Sequence, residues 1–404
     1  MFSSKIGRKD GAYQERYLSP AGAAHLVNGY AYSGVDNSIL ANLIVRHWWN
    51  WLIDNVVPVW IAPNMLTLMG LICVICCTLL INVVDIETGQ NPGWVFFTQG
   101  ILVFAYQTFD NLDGKQARKT GSSSALGEAF DHGADSLAIH MWSIFLGNAL
   151  QLNGSDTLLL FNLLLSVFFL AHWENYFVKQ FVLRELSNPT ETQLLTVLCL
   201  WVTAYTGTDM WKQEADLPII GLITYGRIVL LSIMIGTVST FLDHMSTVKE
   251  NCESKGQPFQ TSLLFLTPVC VCLFLFHIWS MMIESIFVEH FIPFIMTGGF
   301  IFSYICVRAI VQCVAREPFT VLCRPLYIPL AACINSFINI NLTEPIIDDT
   351  SMLYLCLFVA FAWFSFLAIS IIDSFCRTLN IRAFILPGKS NFLPASTIDA
   401  RSSL

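Results

Sequence analysis

FDNLDGKQARKTGSSSALGEAFDHGADS, from Phe109 to Ser136, joins two apolar runs and carries a dense set of carboxylates. Asp110 and Asp113 stand three apart and so share a helix face. Ala117 and Arg118 follow one turn later. A small residue on the Asp113 face leaves room for a flat ligand, and Gly114 lets it approach the backbone. Lys119-Thr-Gly-Ser-Ser-Ser124 reads as a turn, after which a second helix presents Gly127, Asp131 and Asp135. Asp110, Asp113, Asp131 and Asp135 cannot all ionise side by side without protons or a divalent cation. All-oxygen donors favour Mg²⁺ or Mn²⁺ over zinc. Hard cations beside Arg118 suit a pyrophosphate, whose oxygens gain charge in phosphoryl transfer. A solvated polar loop and the ion site of a cation-coupled transporter are the competing readings. The transporter predicts polar groups scattered over the midplane of several spans, and the sequence has no such pattern.

The rest of the chain sets this motif in a membrane. Of 404 residues, 55% are hydrophobic and 12% charged, about half the roughly 25% of a soluble domain. The mean hydropathy is +0.60. These values predict an all-α polytopic membrane protein. A net charge of -8 without a basic patch excludes a nucleic-acid partner. Cys73, Cys76 and Cys77 lie in an apolar run with no further soft ligand nearby, and read as packing residues.

At about 20 apolar residues per span, ten candidates emerge, near 60–84, 93–113, 132–151, 156–178, 190–207, 218–245, 259–283, 287–312, 321–340 and 351–376. The fifth is short enough to be tilted or re-entrant. Ahead of them, Asn42, Arg46, Asn50 and Asp54 repeat every fourth residue on a Trp-rich stretch from Ser38 to Val56, the pattern of an interfacial helix. The first sixteen residues lack the apolar core of a signal peptide, and the tail from Pro387 is polar. With ten spans, Lys212 is the one basic loop residue opposite the termini, so both termini and the motif are expected to be cytoplasmic. The sequons at Asn153 and Asn341 fall in lumenal loops too close to the bilayer for modification to be expected.

The spacing Asp110-x2-Asp113-Gly114-x2-Ala117-Arg118-x8-Gly127-x3-Asp131-x3-Asp135 resembles the signature of the CDP-alcohol phosphotransferases at every fixed position. Tyr32-Ser-Gly-Val-Asp36, Pro63-Asn64-x-Leu66-Thr67, Gly114-Lys115-Gln116-Ala117-Arg118, Gly127-Glu128-x2-Asp131-His132-Gly133 and Trp173-Glu174-x-Tyr176 resemble the eukaryotic choline/ethanolamine phosphotransferase branch. Asn188-Pro-Thr-Glu-Thr192 departs from that branch, which usually has an Asn-Gly-Pro-Thr-Glu-Gly run here. The resemblance covers roughly the first 250 residues.

The resemblance implies a six-helix catalytic core. It divides the chain into a tail and interfacial helix (1–57), the core (58–246), four additional helices (247–380) and a cytoplasmic tail (381–404). Asp110, Asp113 and Asp131 would ligate two divalent ions, Mg²⁺ or Mn²⁺, with Asp135 completing the second site. Gly114, Ala117 and Gly127 would hold cytidine, Arg118 a phosphate, and Asn64 the nucleotide, unless Asn64 merely caps its helix. CDP-choline or CDP-ethanolamine would be the donor and diacylglycerol, from the membrane lipids, the acceptor. The endoplasmic reticulum or Golgi and a homodimer are likewise implied.

The general base is Asp135 in the wider family. Helical spacing also sets Glu128, His132 and Asp135 on one stripe, and a neutral imidazole is the better acceptor near pH 7. His132 is therefore expected to act as base with Glu128 orienting it. Glu174 and Arg227 are candidates for a pair across two spans or for a cavity lining. His140 and His172 read as satisfied core groups, and Arg308 and Asp373 as snorkelling residues. The rival within the class is a phosphatidyl transferase that uses CDP-diacylglycerol, usually on a shorter chain.

Overall fold

In lipid a chain must satisfy its own N–H and C=O groups, and each of the ten apolar stretches contains an α-helix, although the sixth opens on a strand, Gly221–Thr224, before its helix begins at Tyr225. The structure, a computed structural model, describes residues 17–85, 88, 90–184, 188–321 and 323–386. The first sixteen residues and the tail from Pro387 lie outside them. In chain order come α1 (Pro20–Asn28), β1 (Gly34–Asp36), α2 (Arg46–Asn55), which continues a π-wound turn over Ala41–Val45, and α3 (Pro63–Leu80). The motif helices α4 (Gly93–Thr120) and α5 (Ala125–Ala149) follow, then α6 (Gly154–Val178), β2 (Phe181–Leu183) and α7 (Pro189–Thr206). An antiparallel ribbon of β3 (Glu214–Leu217) and β4 (Gly221–Thr224) leads into α8 (Tyr225–Ser254). The chain closes with α9 (Phe259–Leu263), α10 (Thr267–Met282), α11 (Glu284–Glu289), α12 (Phe291–Val314), α13 (Tyr327–Ile340) and α14 (Asp349–Leu379).

Among the described residues, six helical runs are long and apolar enough to cross a membrane: α3, α6, α8, the run α9–α10, α12 and α14. The other four of the ten are α4 and α5, which carry the charged motif, and the shorter α7 and α13. The fifth stretch is the unbroken helix α7, begun by Pro189 and capped by Asn188.

α12 is the most enclosed of the six and packs on α5, α6, α10 and α14. Close approach explains it: a Cβ on Gly298 would sit 3.1 Å from Phe161, and one on Gly299 2.2 Å from His140. Small residues at such crossings let helices close without a hydrophobic drive from lipid. α8 and α14 instead turn Ile235, Leu242, Phe358 and Ile369 outward.

The interfacial helix has three faces. Ala41, Val45, Trp49 and Ile53 are buried against Leu66 and Leu112. Leu43, Ile44, Trp48 and Trp51 are exposed, as an interface-lying helix requires. The polar stripe is directed at α4: Asn50 accepts from Lys115 Nζ at 2.7 Å, and Arg46 enters the cavity described below.

Candidate active site

α4 runs unbroken through Asp110–Arg118. Gly121, in the left-handed region (φ 65°), stops it by bonding the Ala117 and Arg118 carbonyls. Ser124 then caps α5, accepting from Gly127 N at 3.1 Å. This tight reversal brings the two helices' carboxylates together. One oxygen each from Asp110, Asp131 and Asp135 lies within 4.8 Å of the others. Tyr106 Oη donates to Asp135 at 2.6 Å and Thr67 Oγ1 to Asp113 at 2.5 Å. Asp131 Oδ1 is buried with no donor among the described residues. Converging carboxylate oxygens, with an orphaned oxygen on one of the same residues, fit a hard divalent cation.

The glycines support a ligand here. Gly114 and Gly127 lie inside helices, where glycine is a liability. A Cβ on Gly114 would meet only the Arg118 guanidinium, at 3.6 Å. One on Gly127 would meet Ser124 Oγ at 3.6 Å and Asn64 Oδ1 at 3.9 Å. The protein leaves both faces open.

A cavity of about 730 Å³ begins at Asp110, Asp113, Gly114, Arg118, Asp131 and Asp135. It continues along Trp142, Leu146, Leu164 and Ile233 into an apolar space flanked by α7 and α8, which barely pack on one another. Asn64, Ala117 and Gly127 lie beside its head rather than in its wall. Asn64 does not cap α3; its Nδ2 donates to the Ala383 carbonyl at 2.8 Å.

His132 is in the cavity wall, its ring centroid 5.0 Å from His172 and 4.7 Å from Phe181, and its Nδ1 has no partner among the described residues. Glu128, expected to orient it, accepts instead from Tyr30 Oη at 2.6 Å. Burial and this carboxylate push the Tyr30 phenol well above its ordinary range, so it remains a donor. The helical stripe placed Glu128 near His132 but did not count a partner from α1's C-terminal side. His140 Nδ1 donates to the Ser136 carbonyl inside the core. His172 Nδ1 does the same to Phe168, but its ring faces the cavity.

The pair Glu174–Arg227 does not form. Glu174 is buried and accepts from Arg184 Nη2 and His244 Nδ1, both at 2.6 Å, and Arg184 also donates to Thr247. Arg227 pairs with Asp156 at the opposite end of α6 and α8. Arg308 lies over the Tyr17 ring, and Asp373 pairs with Arg377.

Sequence reasoning missed the roof. β1 pairs in parallel with β2, Gly34 opposite Phe181. Asp36 Oδ1 accepts from Ser38 N and Asn188 Nδ2, and Glu191 Oε1 from Ser38 Oγ and Leu40 N. These contacts hold Tyr32, Arg46, Arg184 and Glu191 in the cavity wall. The one sequence signal was the likeness of Tyr32–Asp36 to an N-terminal segment of known enzymes.

A family model described as CDP-alcohol phosphatidyltransferase matches residues 60–290. A Dictyostelium discoideum protein described as an uncharacterized CDP-alcohol phosphatidyltransferase class-I family protein is 36% identical over 377 residues, 93% of this chain and 89% of its own. Choline/ethanolaminephosphotransferase 1 of Arabidopsis thaliana is 31% identical over 389 residues, 92% of this chain and 99% of its own. A shorter likeness, 35% over 224 residues (52% of this chain and 57% of the other), is to the CDP-diacylglycerol–serine O-phosphatidyltransferase of Encephalitozoon cuniculi.

Proposed function

The chain belongs to the CDP-alcohol phosphatidyltransferase family, and we propose that it transfers phosphocholine or phosphoethanolamine from the CDP-alcohol to diacylglycerol, forming phosphatidylcholine or phosphatidylethanolamine. The observation that carries this is a single cavity, carboxylate-lined at its head and apolar along its length. It suits a charged nucleotide donor and a lipid acceptor meeting at one point. The near-full-length likeness to the Arabidopsis enzyme supports the amino-alcohol donor.

Asp110, Asp131 and Asp135, with Asp113 beside them, would hold Mg²⁺ or Mn²⁺, two ions in the family's manner. The metal supplies charge neutralisation at the pyrophosphate. Arg118 holds a phosphate oxygen, and the glycine faces of Gly114 and Gly127, with Ala117 and Asn64, receive the nucleotide. Diacylglycerol enters sideways past α7 and α8, and His132 accepts its hydroxyl proton. The alcohol oxygen bonds to the phosphorus that bears the amino alcohol, the bridging P–O bond breaks, and CMP leaves. Glu128 acts through Tyr30, not through His132. Residues 58–246 are the catalytic unit, 247–380 its buttress, and 1–57 and 381–404 the flanks. Both termini are cytoplasmic, in the endoplasmic reticulum or Golgi, on a homodimer.

A second reading, with CDP-diacylglycerol as donor, rests on the Encephalitozoon likeness. Purified full-length protein with Mg²⁺ or Mn²⁺ separates them. CMP release from CDP-choline or CDP-ethanolamine with diacylglycerol supports the proposal. Release from CDP-diacylglycerol and serine alone overturns it.

A further inference from the structure

α14 turns back on the bundle at its C-terminus. Asn380 adopts the left-handed conformation (φ 51°, ψ 44°), and its amide bonds back to the last-turn carbonyls. Ile381 N bonds the Cys376 carbonyl at 3.1 Å, completing the reversal. Residues 381–386 then fold on themselves through a bridge between Arg382 and Ile385. At this point the chain meets the start of α3 and α5. Asn64 Nδ2 donates to the Ala383 carbonyl, 319 positions away, and Phe384 sets its ring edge-on to Phe130 with centroids 5.5 Å apart.

The contact fixes the chemistry of Asn64. A main-chain carbonyl can only accept, so the end of the carboxamide facing Ala383 must be its NH₂. Oδ1, an acceptor, is therefore the end facing Gly127. Phe130 lies three residues beyond Gly127 and shares its helix face, so Phe384 bears on the turn that carries that glycine. Phe384 is 41% exposed, which does not mark it as a core residue.

We infer that residues 381–386, reached through the last helix, are a positioning element of the nucleotide site. Ala383 holds Asn64 with its oxygen toward a hydrogen-bond donor of the nucleotide, a base amino group or a ribose hydroxyl. Phe384 steadies the first turn of α5 against it. This assignment rests on the CDP-alcohol reading of the site.

The test compares full-length wild type, Phe384→Ala, Asn64→Ala and the double variant by CMP release. Each single substitution raises KM for the CDP-alcohol about tenfold, on the scale of one lost hydrogen bond. kcat and KM for diacylglycerol stay unchanged, and the double variant is no worse than Asn64→Ala, because both act through one contact. Phe384→Leu, which keeps apolar contact, recovers most of the loss and separates positioning from misfolding. An unchanged donor KM in Phe384→Ala, effects that multiply in the double variant, or kcat and KM collapsing together overturns the inference. Wild type that turns over neither CDP-amino alcohol defeats the functional reading alone. The rise in Tm caused by CMP then decides: a smaller rise in Phe384→Ala supports the positioning role, and an equal rise or none refutes it.

Discussion

Thr67→Val removes one hydroxyl from the site and little else. Valine keeps the β-branched shape and its rotamer preference within α3. The Thr67 hydroxyl and the carboxylate oxygen of Asp113 that it serves are both buried, so solvent does not take over the bond. The hydroxyl's other contact, the Pro63 carbonyl at 3.5 Å, is at the limit of a hydrogen bond and adds little. A hydrogen bond to a charged group contributes about 1.5–3 kcal/mol. That corresponds to about 10–100-fold, the range seen when a metal-ligating carboxylate loses the partner that orients it.

The assay is CMP release as a function of Mg²⁺ or Mn²⁺ with donor and acceptor saturating. The metal concentration giving half-maximal rate should rise about 10–100-fold in Thr67→Val, with most of kcat regained at high metal. Thr67→Ser, which restores the hydroxyl, should return the midpoint toward wild type. A midpoint that stays put while donor KM rises would show that Asp113 serves the nucleotide and not the metal. A kcat lowered equally at every metal concentration would show that the bond supports the fold alone.

Three further outcomes are expected. His132→Ala should lower kcat by about 10²–10⁴-fold while the metal midpoint holds, and near-normal turnover would return the base role to Asp135. Gly299→Ala would place a methyl 2.2 Å from the buried His140 ring. It should destabilise the protein by about 1–3 kcal/mol, read as a lower Tm in detergent, and an unchanged Tm would mean that α12 sits looser on α5 than described. For Tyr30, burial and Glu128 favour the neutral phenol in the fold, while the unfolded residue ionises near 10.0. Its contribution is thus fully present below that pH and lost as pH rises above it. Tm measured from pH 8 to 11 should show wild type's advantage over Tyr30→Phe shrinking above about pH 10; a constant gap contradicts the Tyr30–Glu128 bond.

The helices were legible because hydrophobic length is a local property, and so was the motif, whose turn depends on Gly121 and Ser124 at fixed offsets. Partner choice was less legible. Glu174 and Arg227 are opposite charges on two spans, which makes them candidates for a pair. Yet α6 and α8 are long, and their charges lie at different ends: Asp156 is in the first turn of α6, beside Arg227, whereas Glu174 is in its last turns, beside His244. Axial position along the helix, at 1.5 Å per residue, decides the pairing, not which spans the charges occupy. Glu128 shows the same limit. Helical spacing put it near His132, but a residue outside the helix, Tyr30, holds it.

The roof was hidden for a different reason: its residues already have sufficient local explanations. Asn188 before Pro-Thr-Glu is a good helix cap, and it does cap α7. Asp36 followed two residues later by Ser38 is a local turn, and its carboxylate does bind the Ser38 amide. Each has a second bond that joins them across 152 positions, and Glu191 reaches Ser38 across 153. Nothing local requires those bonds, so the sequence reads as complete without them. The same residues explain how this chain can lack the glycines usual between Asn188 and Thr192. Here the segment is anchored from both sides, by the cap within it and by Asp36 and Ser38 across from it. If that anchoring substitutes for glycine's freedom, inserting the missing glycine after Asn188 should shift Glu191 off Ser38 and loosen β1 from β2. Amide exchange over 34–36 reads this directly. Faster exchange there, with α5 unaffected, is the expected result; unchanged exchange would mean that the strand pair alone holds the roof.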